Sequence, residues 1–444
     1  MNVALCHFRV GETDGVSLEM AKWKIALENS GHKVIYIAGS EGASSAKIIP
    51  SLHYQYPLNT KIVNNAYHSF QDYDSEEELK EDIFCLAKEI EQDLVNCINE
   101  HQIDVLVPNN ILSLGWHLSA GIAFTKVIKK TGIKTICHHH DFHWERVLYS
   151  NPKVDFINDL LVQYFPPTDK HISHVCINKI AKNELKERFN IEANVVPNVF
   201  DFLENNLVKN NYNNNLREEL NVKNGDILFV QATRVVERKG IELAIDVVTE
   251  VIKNKTLLLD SKLYNGKVFN KKNNIYLVFA GKNESANYYT KLCEYAKVKG
   301  VPILDISKRV DHERSIVNGE KIYSLWDVYS IADFITYPSI LEGWGNQFLE
   351  AIVAKLPIVT YKYPVYLSDI EEFGFNMVSL GSTYTKNDDG FVKVSQAVIE
   401  DAAKSIFPYL LDSNFRERNT DYNFEKAKEN LSLESLQKML KSIF

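Results

Sequence analysis

Short apolar runs bounded by turn residues alternate along this chain with longer stretches whose apolar residues recur at helical spacing. That alternation predicts an α/β fold, a parallel sheet covered by helices. Strands are expected at 1–8, 34–39, 104–110, 134–141, 173–178 and 193–199. Between them fall a first helix that buries Met20, Trp23 and Leu27, a long amphipathic helix over 75–101, and another over 114–131. Ser75 followed by three glutamates reads as an N-cap and an acidic first turn, which suits the positive end of a helix. Residues 40–73 carry two prolines and several aromatics and are expected to be irregular. The Asn-rich stretch 205–215 reads as a linker or surface loop. A second series then opens, with strands at 226–233, 275–282, 303–307 and 332–337 and helices from about Ile241, Phe348 and Ser395. Residues 254–274, rich in Lys and Asn, read as an insertion without chemistry, and the chain closes on amphipathic helices over 420–444.

Length and composition narrow the class. A chain of 444 residues holds two or three domains, and 45% hydrophobic with 24% charged residues is ordinary for a globular protein in water. The formal net charge of −8 argues against a nucleic-acid binder and gives no general attraction to anionic lipid. The six cysteines, Cys6, Cys85, Cys97, Cys137, Cys176 and Cys293, show no metal-ligand spacing. Most lie in apolar runs and are expected as buried free thiols in a reducing compartment. The first residues form a strand pattern rather than a signal peptide, and no apolar run approaches bilayer length. A cytoplasmic protein without a membrane span is the expectation.

The richest stretch chemically is Pro338-Ser339-Ile340-Leu341-Glu342-Gly343-Trp344-Gly345-Asn346-Gln347-Phe348-Leu349-Glu350-Ala351. It links a strand to a helix, with Glu342 in the loop and Glu350 about one turn into the helix. Free amides at a helix start favour an anionic ligand. A ligand with hydroxyls at both ends and phosphates between them suits this arrangement, and a nucleotide sugar is such a ligand. Upstream, strand 226–233 runs into Arg234-Val235-Val236-Glu237-Arg238-Lys239-Gly240. Arg234 and Lys239 can neutralise a nucleoside diphosphate, the first by planar bidentate contacts and the second as a point charge. Gly281, at the end of the next strand, permits close approach of backbone, as do Gly11 and Gly15 at the first strand-helix turn. The glycines of that first turn do not match the dinucleotide fingerprint, so NAD is not inferred.

His138-His139-His140-Asp141 ends a strand, where an open α/β sheet presents ligand groups. A zinc site is the tempting reading. Adjacent strand residues face opposite sides, so three consecutive histidines do not easily share one ion, and no metal is assigned. Asp72-Tyr73-Asp74 precedes a helix N-cap and is likewise assigned no metal.

The stretch from Pro338 to Val359, with two glutamates separated by seven residues, and the segment from Arg234 to Gly240 resemble the signature of family-four retaining glycosyltransferases. The resemblance covers nearly the whole chain. It implies the GT-B fold, two doubly wound Rossmann-like domains facing across a cleft: an acceptor-side domain at 1–200, a nucleotide-sugar-binding domain at 201–415, and helices at 416–444 crossing back to the first. It implies a retaining hexosyltransferase that moves a hexose from GDP-mannose or UDP-glucose to a hydroxyl of a small soluble acceptor, a glycosylglycerate or a sugar. Neither cofactor nor metal is required by the implied mechanism. The catalytic set carried over is His140, His139, Asp141, Glu342, Arg234 and Lys239, with His140 and Asp141 preferred over His139. Glu350 would hold ribose hydroxyls and Glu342 the sugar's hydroxyls. Gly15, Arg234, Lys239, Gly281, Gly343, Trp344, Gly345, Asn346 and Gln347 complete the implied donor site. Where the family usually has Pro-Asn-Gly-Val-Asp, this chain has Pro197-Asn198-Val199-Phe200-Asp201. The histidine run and the Glu12–Ser17 loop look like those of soluble-acceptor members that make compatible-solute glycosides.

Three other activities fit the same plan. A glycoside phosphorylase would turn over with free phosphate in place of nucleotide. A sugar-nucleotide epimerase would form product without an acceptor. A non-catalytic sugar-nucleotide-binding partner subunit would show no turnover at all.

Overall fold

In the computed structural model, which describes residues 1–12, 14–203 and 207–444, the apolar runs of the first half become strands of one parallel sheet. They are β1 (Asn2–His7), β2 (Lys33–Ala38), β3 (Lys47–Ile48), β4 (Val105–Pro108), β5 (Lys134–His139), β6 (Ile172–Cys176) and β7 (Ala193–Val195). Their order is β3-β2-β1-β4-β5-β6-β7, parallel throughout. The period of two splits the apolar residues between two faces. Val3, Leu5, Val105, Val107, Ile136 and Val175 pack with Met20, Trp23 and Leu27 of α1 (Gly15–Asn29) and with Leu436 and Leu440 of the terminal helix Leu433–Lys441. Ala4, Cys6, Ile37, Leu106 and Cys137 pack on the other side, with α2 (Glu76–His101) and α3 (Leu118–Thr131). Burial on both faces explains why these strands read as continuous apolar runs. Ser75 caps α2, its side chain accepting from Glu78 N at 3.3 Å.

The second half builds its own parallel sheet from β8 (Ile227–Gln231), β9 (Ile275–Phe279), β10 (Ile303–Asp305), β11 (Phe334–Tyr337), β12 (Ile358–Thr360) and β13 (Val378–Ser379). The order is β10-β9-β8-β11-β12-β13. From β8 the chain works outward to β10, then returns to pair β11 on the other side of β8. The strand order therefore reverses between β8 and β11, a switch point of the sheet, the place where open α/β sheets bind ligands. Helices α4 (Ile241–Lys253), α5 (Ala286–Lys299), α6 (Asn346–Val353), α7 (Gln396–Leu411) and α8 (Ser413–Asn430) complete this half.

The chain divides into Met1–Val199 with Leu433–Phe444 as one unit and Phe200–Ser432 as the other. Residues 416–432, expected among the helices that cross back, pack with the second unit, and the first unit's own terminal segment begins at Leu433. Arg416 explains this: its buried guanidinium donates to Asp333 O at 2.8 Å.

Three further segments differ from expectation. Within 40–73, β3 adds an edge strand and Pro57–Val63 is helical, with Pro57 opening the helix. Residues 254–274 are built into the unit: Tyr264 OH donates to Asp333 Oδ1 at 2.8 Å, and Phe269 is buried. Of the 205–215 stretch, residues 205 and 206 lie outside the described residues, as does residue 13 of the first strand-helix turn. Asn213, also in that stretch, is buried rather than on the surface, and its amide donates to Val208 O at 2.9 Å and Asp327 Oδ1 at 2.6 Å.

Candidate active site

The loops that follow β8 and β11 are pressed together backbone to backbone. Ile340 N donates to Arg238 O at 3.0 Å. Gly240, at φ +56°, lies so close to the second loop that a Cβ there would stand 2.7 Å from Pro338 O. A side chain at 240 would push the loops apart, which is why Gly follows Lys239. This packing carries Lys239, only 4% exposed, beneath Glu342. Lys239 Nζ forms an ion pair with Glu342 Oε1. Arg238 Nη1 reaches Glu342 Oε2 at 3.0 Å and Leu341 O at 2.9 Å.

Two cations on one carboxylate leave this trio with a net positive charge. Burial works against the Glu342 carboxylate, but Lys239 and Arg238 outweigh it and hold its pKa below the usual range. Burial draws the Lys239 ammonium below its ordinary pKa, and Glu342 opposes that shift. Tyr337, buried beside Glu342, has its phenol pushed well up by burial and by the neighbouring carboxylate. The arrangement sets one desolvated cation, Lys239, and one partly exposed cation, Arg238, around a carboxylate able to accept from ligand hydroxyls, with net positive charge for an anion.

Arg234 is placed differently from Lys239. Its Nη1 sits 2.8 and 2.9 Å from the two carboxylate oxygens of Glu284, and the pair is about half exposed. It is near enough to lower the Lys239 pKa but does not join the Glu342 cluster directly. Gly281 underlies this placement. A Cβ there would collide with the Thr233 carbonyl, so the glycine lets the 281–284 loop run against Val235, whose N donates to Lys282 O at 2.9 Å. Its role in this structure is packing.

Helix α6 begins at Gly345 with no side-chain cap, the condition under which first-turn amides can serve a ligand. Gly345 adopts φ +126°, and a Cβ would collide with the Tyr363 hydroxyl, which donates to Trp344 O at 2.6 Å. Trp344 is 4% exposed, so its ring belongs to the core. Gln347 reaches across to Ala232 O at 3.5 Å. Glu350, on the same helix, accepts from the buried Tyr329 hydroxyl at 2.8 Å. Gly343 and Asn346 lie in the loop and at the helix start between these groups.

In the first unit, His140 sits at the end of β5. Its backbone N donates to Asn110 Oδ1 at 2.7 Å, and its Nε2 lies 3.2 Å from Asn109 Oδ1. His138 Nδ1 lies 2.9 Å from the same oxygen, and its ring stacks on Trp23. His7 Nδ1 meets Asn109 O at 2.8 Å. Burial, reinforced by His7, lowers the His140 pKa to about 3, so it is a neutral imidazole at physiological pH. His139 faces the opposite side, with Nε2 2.9 Å from His174 Nδ1, and does not join this group. Asp141 pairs with Arg146 Nη2 at 2.8 Å. Gly15 opens α1 directly after Asp14, whose carboxylate accepts from Val16 N and Ser17 N at 3.1 and 3.2 Å. Those two amides are thus capped internally in this structure.

Arg238, Glu284, Asn109, His7 and Tyr329 join these groups without having been expected from the sequence. Arg238 stood beside an assigned lysine in a charged run, and nothing local marked it. Asn109-Asn110 at a strand end was the one available signal for the asparagines.

The chain belongs to the group 1 glycosyltransferases, sugar-transferring enzymes of GT-B fold, and the family model matches residues 213–425. The chain is 44% identical over 416 residues to a mannosylglucosylglycerate synthase of Petrotoga mobilis, covering 93% of this chain and 94% of that one. It is 38% identical over 442 residues to a mannosylglucosylglycerate synthase of Thermotoga maritima, with 99% of each chain covered. Solved structures support the fold. WaaG, a glycosyltransferase involved in lipopolysaccharide biosynthesis, matches with a TM-score of 0.56 at 13% identity over 99% of both chains. The trehalose-6-phosphate enzyme of E. coli bound with UDP-2-fluoro glucose matches with 0.58 at 10% identity, over 100% of this chain and 98% of that one. Among the described residues no helix is long and apolar enough to cross a membrane.

Arg238→Gln gives a direct test of the carboxylate pairing. Glu342 has a depressed folded pKa, so its contribution to stability is present above the unfolded value of 4.5 and is lost as pH falls through the folded pKa. Removing Arg238 raises the folded value and shrinks that contribution. Urea unfolding at neutral pH is expected to show a loss of about 1 kcal/mol, since Arg238 is partly exposed. The difference from wild type should shrink as pH falls through the folded pKa of Glu342, where the carboxylate charge is lost in both proteins.

Proposed function

We propose that this enzyme transfers a hexose from a nucleotide sugar, GDP-mannose first and UDP-glucose second, to a hydroxyl of a glycosylglycerate acceptor. The observation that carries the donor site is the pairing of buried Lys239 and partly exposed Arg238 with Glu342 at the sheet's switch point. The acceptor class rests on the printed names of the two relatives, which point to glucosylglycerate as the acceptor and mannose as the transferred sugar.

In this reading the diphosphate lies at the start of α6, with Lys239 and Arg234 stabilising the charge that develops as the phosphate leaves. Arg234 exchanges Glu284 for phosphate. Glu342 accepts hydrogen bonds from sugar hydroxyls, and Glu350, oriented by Tyr329, accepts from the ribose. The bond between the anomeric carbon and the phosphate oxygen breaks. The acceptor oxygen bonds to that carbon from the same face, and its proton passes to the departing phosphate, so configuration is retained. In the first unit His140, held neutral by burial, can offer a hydrogen bond rather than a charge. Side-chain cations and helix amides do the work that a divalent ion does elsewhere, so we expect turnover in the presence of EDTA. All six cysteines are unpaired, which suits a reducing compartment, and we place the enzyme in the cytoplasm.

Thermal unfolding against a panel of nucleotides tests the donor site. GDP or UDP at a hundred times Kd is expected to add roughly 3 kcal/mol of stability, while the corresponding nucleosides add little. Equal stabilisation by nucleoside and diphosphate would remove the phosphate site from the account.

A further inference from the structure

The alternation along β5 that separates His140 from His139 creates a second cluster on the opposite face. Cys137 and His139 share that face because they are two residues apart on one strand, and the same holds for His174 and Cys176 on β6. The parallel register sets Cys137 opposite His174 and His139 opposite Cys176. We infer that Cys137, His139 and His174 form a binding site for a thiophilic divalent cation, zinc being the best match.

Three observations carry this. First, each residue offers one ligand atom, and these atoms all lie within 4.8 Å of one another. A tetrahedral zinc ion with nitrogen and sulfur ligands at about 2.0–2.3 Å holds those atoms roughly 3.3–3.8 Å apart, so closure takes side-chain rotation of order 1 Å. His139 Nε2 and His174 Nδ1 already stand 2.9 Å apart, with rings nearly parallel at 16°. Second, the cluster is dry, with exposures of 0%, 1% and 5% for Cys137, His139 and His174. Third, His139 Nδ1 is buried without a hydrogen-bond partner, so Nε2 is the nitrogen through which the ring is held, and it is the one turned to His174.

The chemistry is consistent. Burial keeps both imidazoles neutral, the form that ligates. The Cys137 thiol gives up its proton to solvent as its sulfur bonds the metal, so binding releases one proton and involves no redox change. Cys176 lies on the same face and opposite His139 in register, but its sulfur is not among the atoms that lie within 4.8 Å of one another, so the site offers three protein ligands. Such a site would tie β5 to β6 just before the chain turns at Phe142, whose ring lies 4.9 Å from that of His139. It would thereby hold in place the strand end that presents His140. The function is structural and stands apart from sugar transfer.

The test uses the full chain, produced with zinc in the medium and purified without a metal-affinity step. Elemental analysis is expected to find about one zinc per chain, and refolding in cobalt is expected to give d–d bands with a thiolate charge-transfer band in the near ultraviolet. Cys137→Ser should abolish the charge-transfer band, and His174→Gln should lower zinc content at least tenfold, the fold of each being checked by circular dichroism. Cobalt spectra need no variant to fold, so they decide the matter alone if a variant is insoluble. Zinc-free protein that also shows no thiolate–cobalt band would overturn the proposal, as would an unchanged band in Cys137→Ser.

Discussion

Lys239→Met is expected to lower turnover by about a thousandfold, the scale seen when a pre-set charge is removed from a developing anion. The reason is geometric. Lys239 is buried under the loop after β11, and its charge has been stripped of water by the packing that Gly240 permits. A cation already desolvated acts on a leaving diphosphate without reorganising at the moment of reaction. Affinity for GDP is expected to fall roughly ten- to a hundredfold, the worth of one charged hydrogen bond. The variant also leaves Glu342 with Arg238 alone, and removing one partner from a buried ion pair costs about 3 kcal/mol of stability. Activity assays well below the unfolding transition, with calorimetric titration of GDP, separate the two effects. A variant that keeps wild-type GDP affinity would show that the phosphates bind elsewhere.

Gly345→Ala is the second large effect. The residue sits at φ +126°, where an L side chain is strained, and a Cβ would collide with the Tyr363 hydroxyl that holds Trp344 O. Backbone strain of this kind costs roughly 1–3 kcal/mol, and displacing Tyr363 adds about 1 kcal/mol for its hydrogen bond. The start of α6 should shift, so GDP affinity is expected to drop about tenfold, as 1.4 kcal/mol of lost contact implies. Tyr363→Phe removes the obstructing hydroxyl, so the double variant should recover part of the loss, and the difference is the coupling between the two positions. Full additivity in chemical denaturation would mean that the hydroxyl is not what the alanine meets.

How much of this was legible in the chain follows from what local sequence can encode. The strands were legible because parallel strands buried on both faces leave continuous apolar runs. Lys239 and Glu342 were legible as candidates because each sits at a loop following a strand, with Gly beside it. Their direct pairing was not, since it depends on β8 and β11 being neighbours despite two intervening strands. Arg238 and Glu284 were lost for a related reason: in a charged run, only the tertiary partner tells a ligand-side cation from a solvated one. The histidine run was half legible. Strand alternation correctly separated His139 from His138 and His140, but the neighbours it needed, His174 and Asn109, come from other strands. The stretch 254–274 looked inert because Lys and Asn dominate it, whereas Tyr264 and Phe269 do its packing.

The measurement that bears most directly on the central claim is product analysis. The purified chain is given GDP-mannose with glucosylglycerate, the other nucleotide sugars and acceptors serving as controls, and products are followed by mass spectrometry and NMR. The expected products are an acceptor heavier by one hexose and GDP in equal amount, with an anomeric configuration that matches the donor's. No hexose transfer from any nucleotide sugar, with turnover instead driven by free phosphate, would contradict that claim.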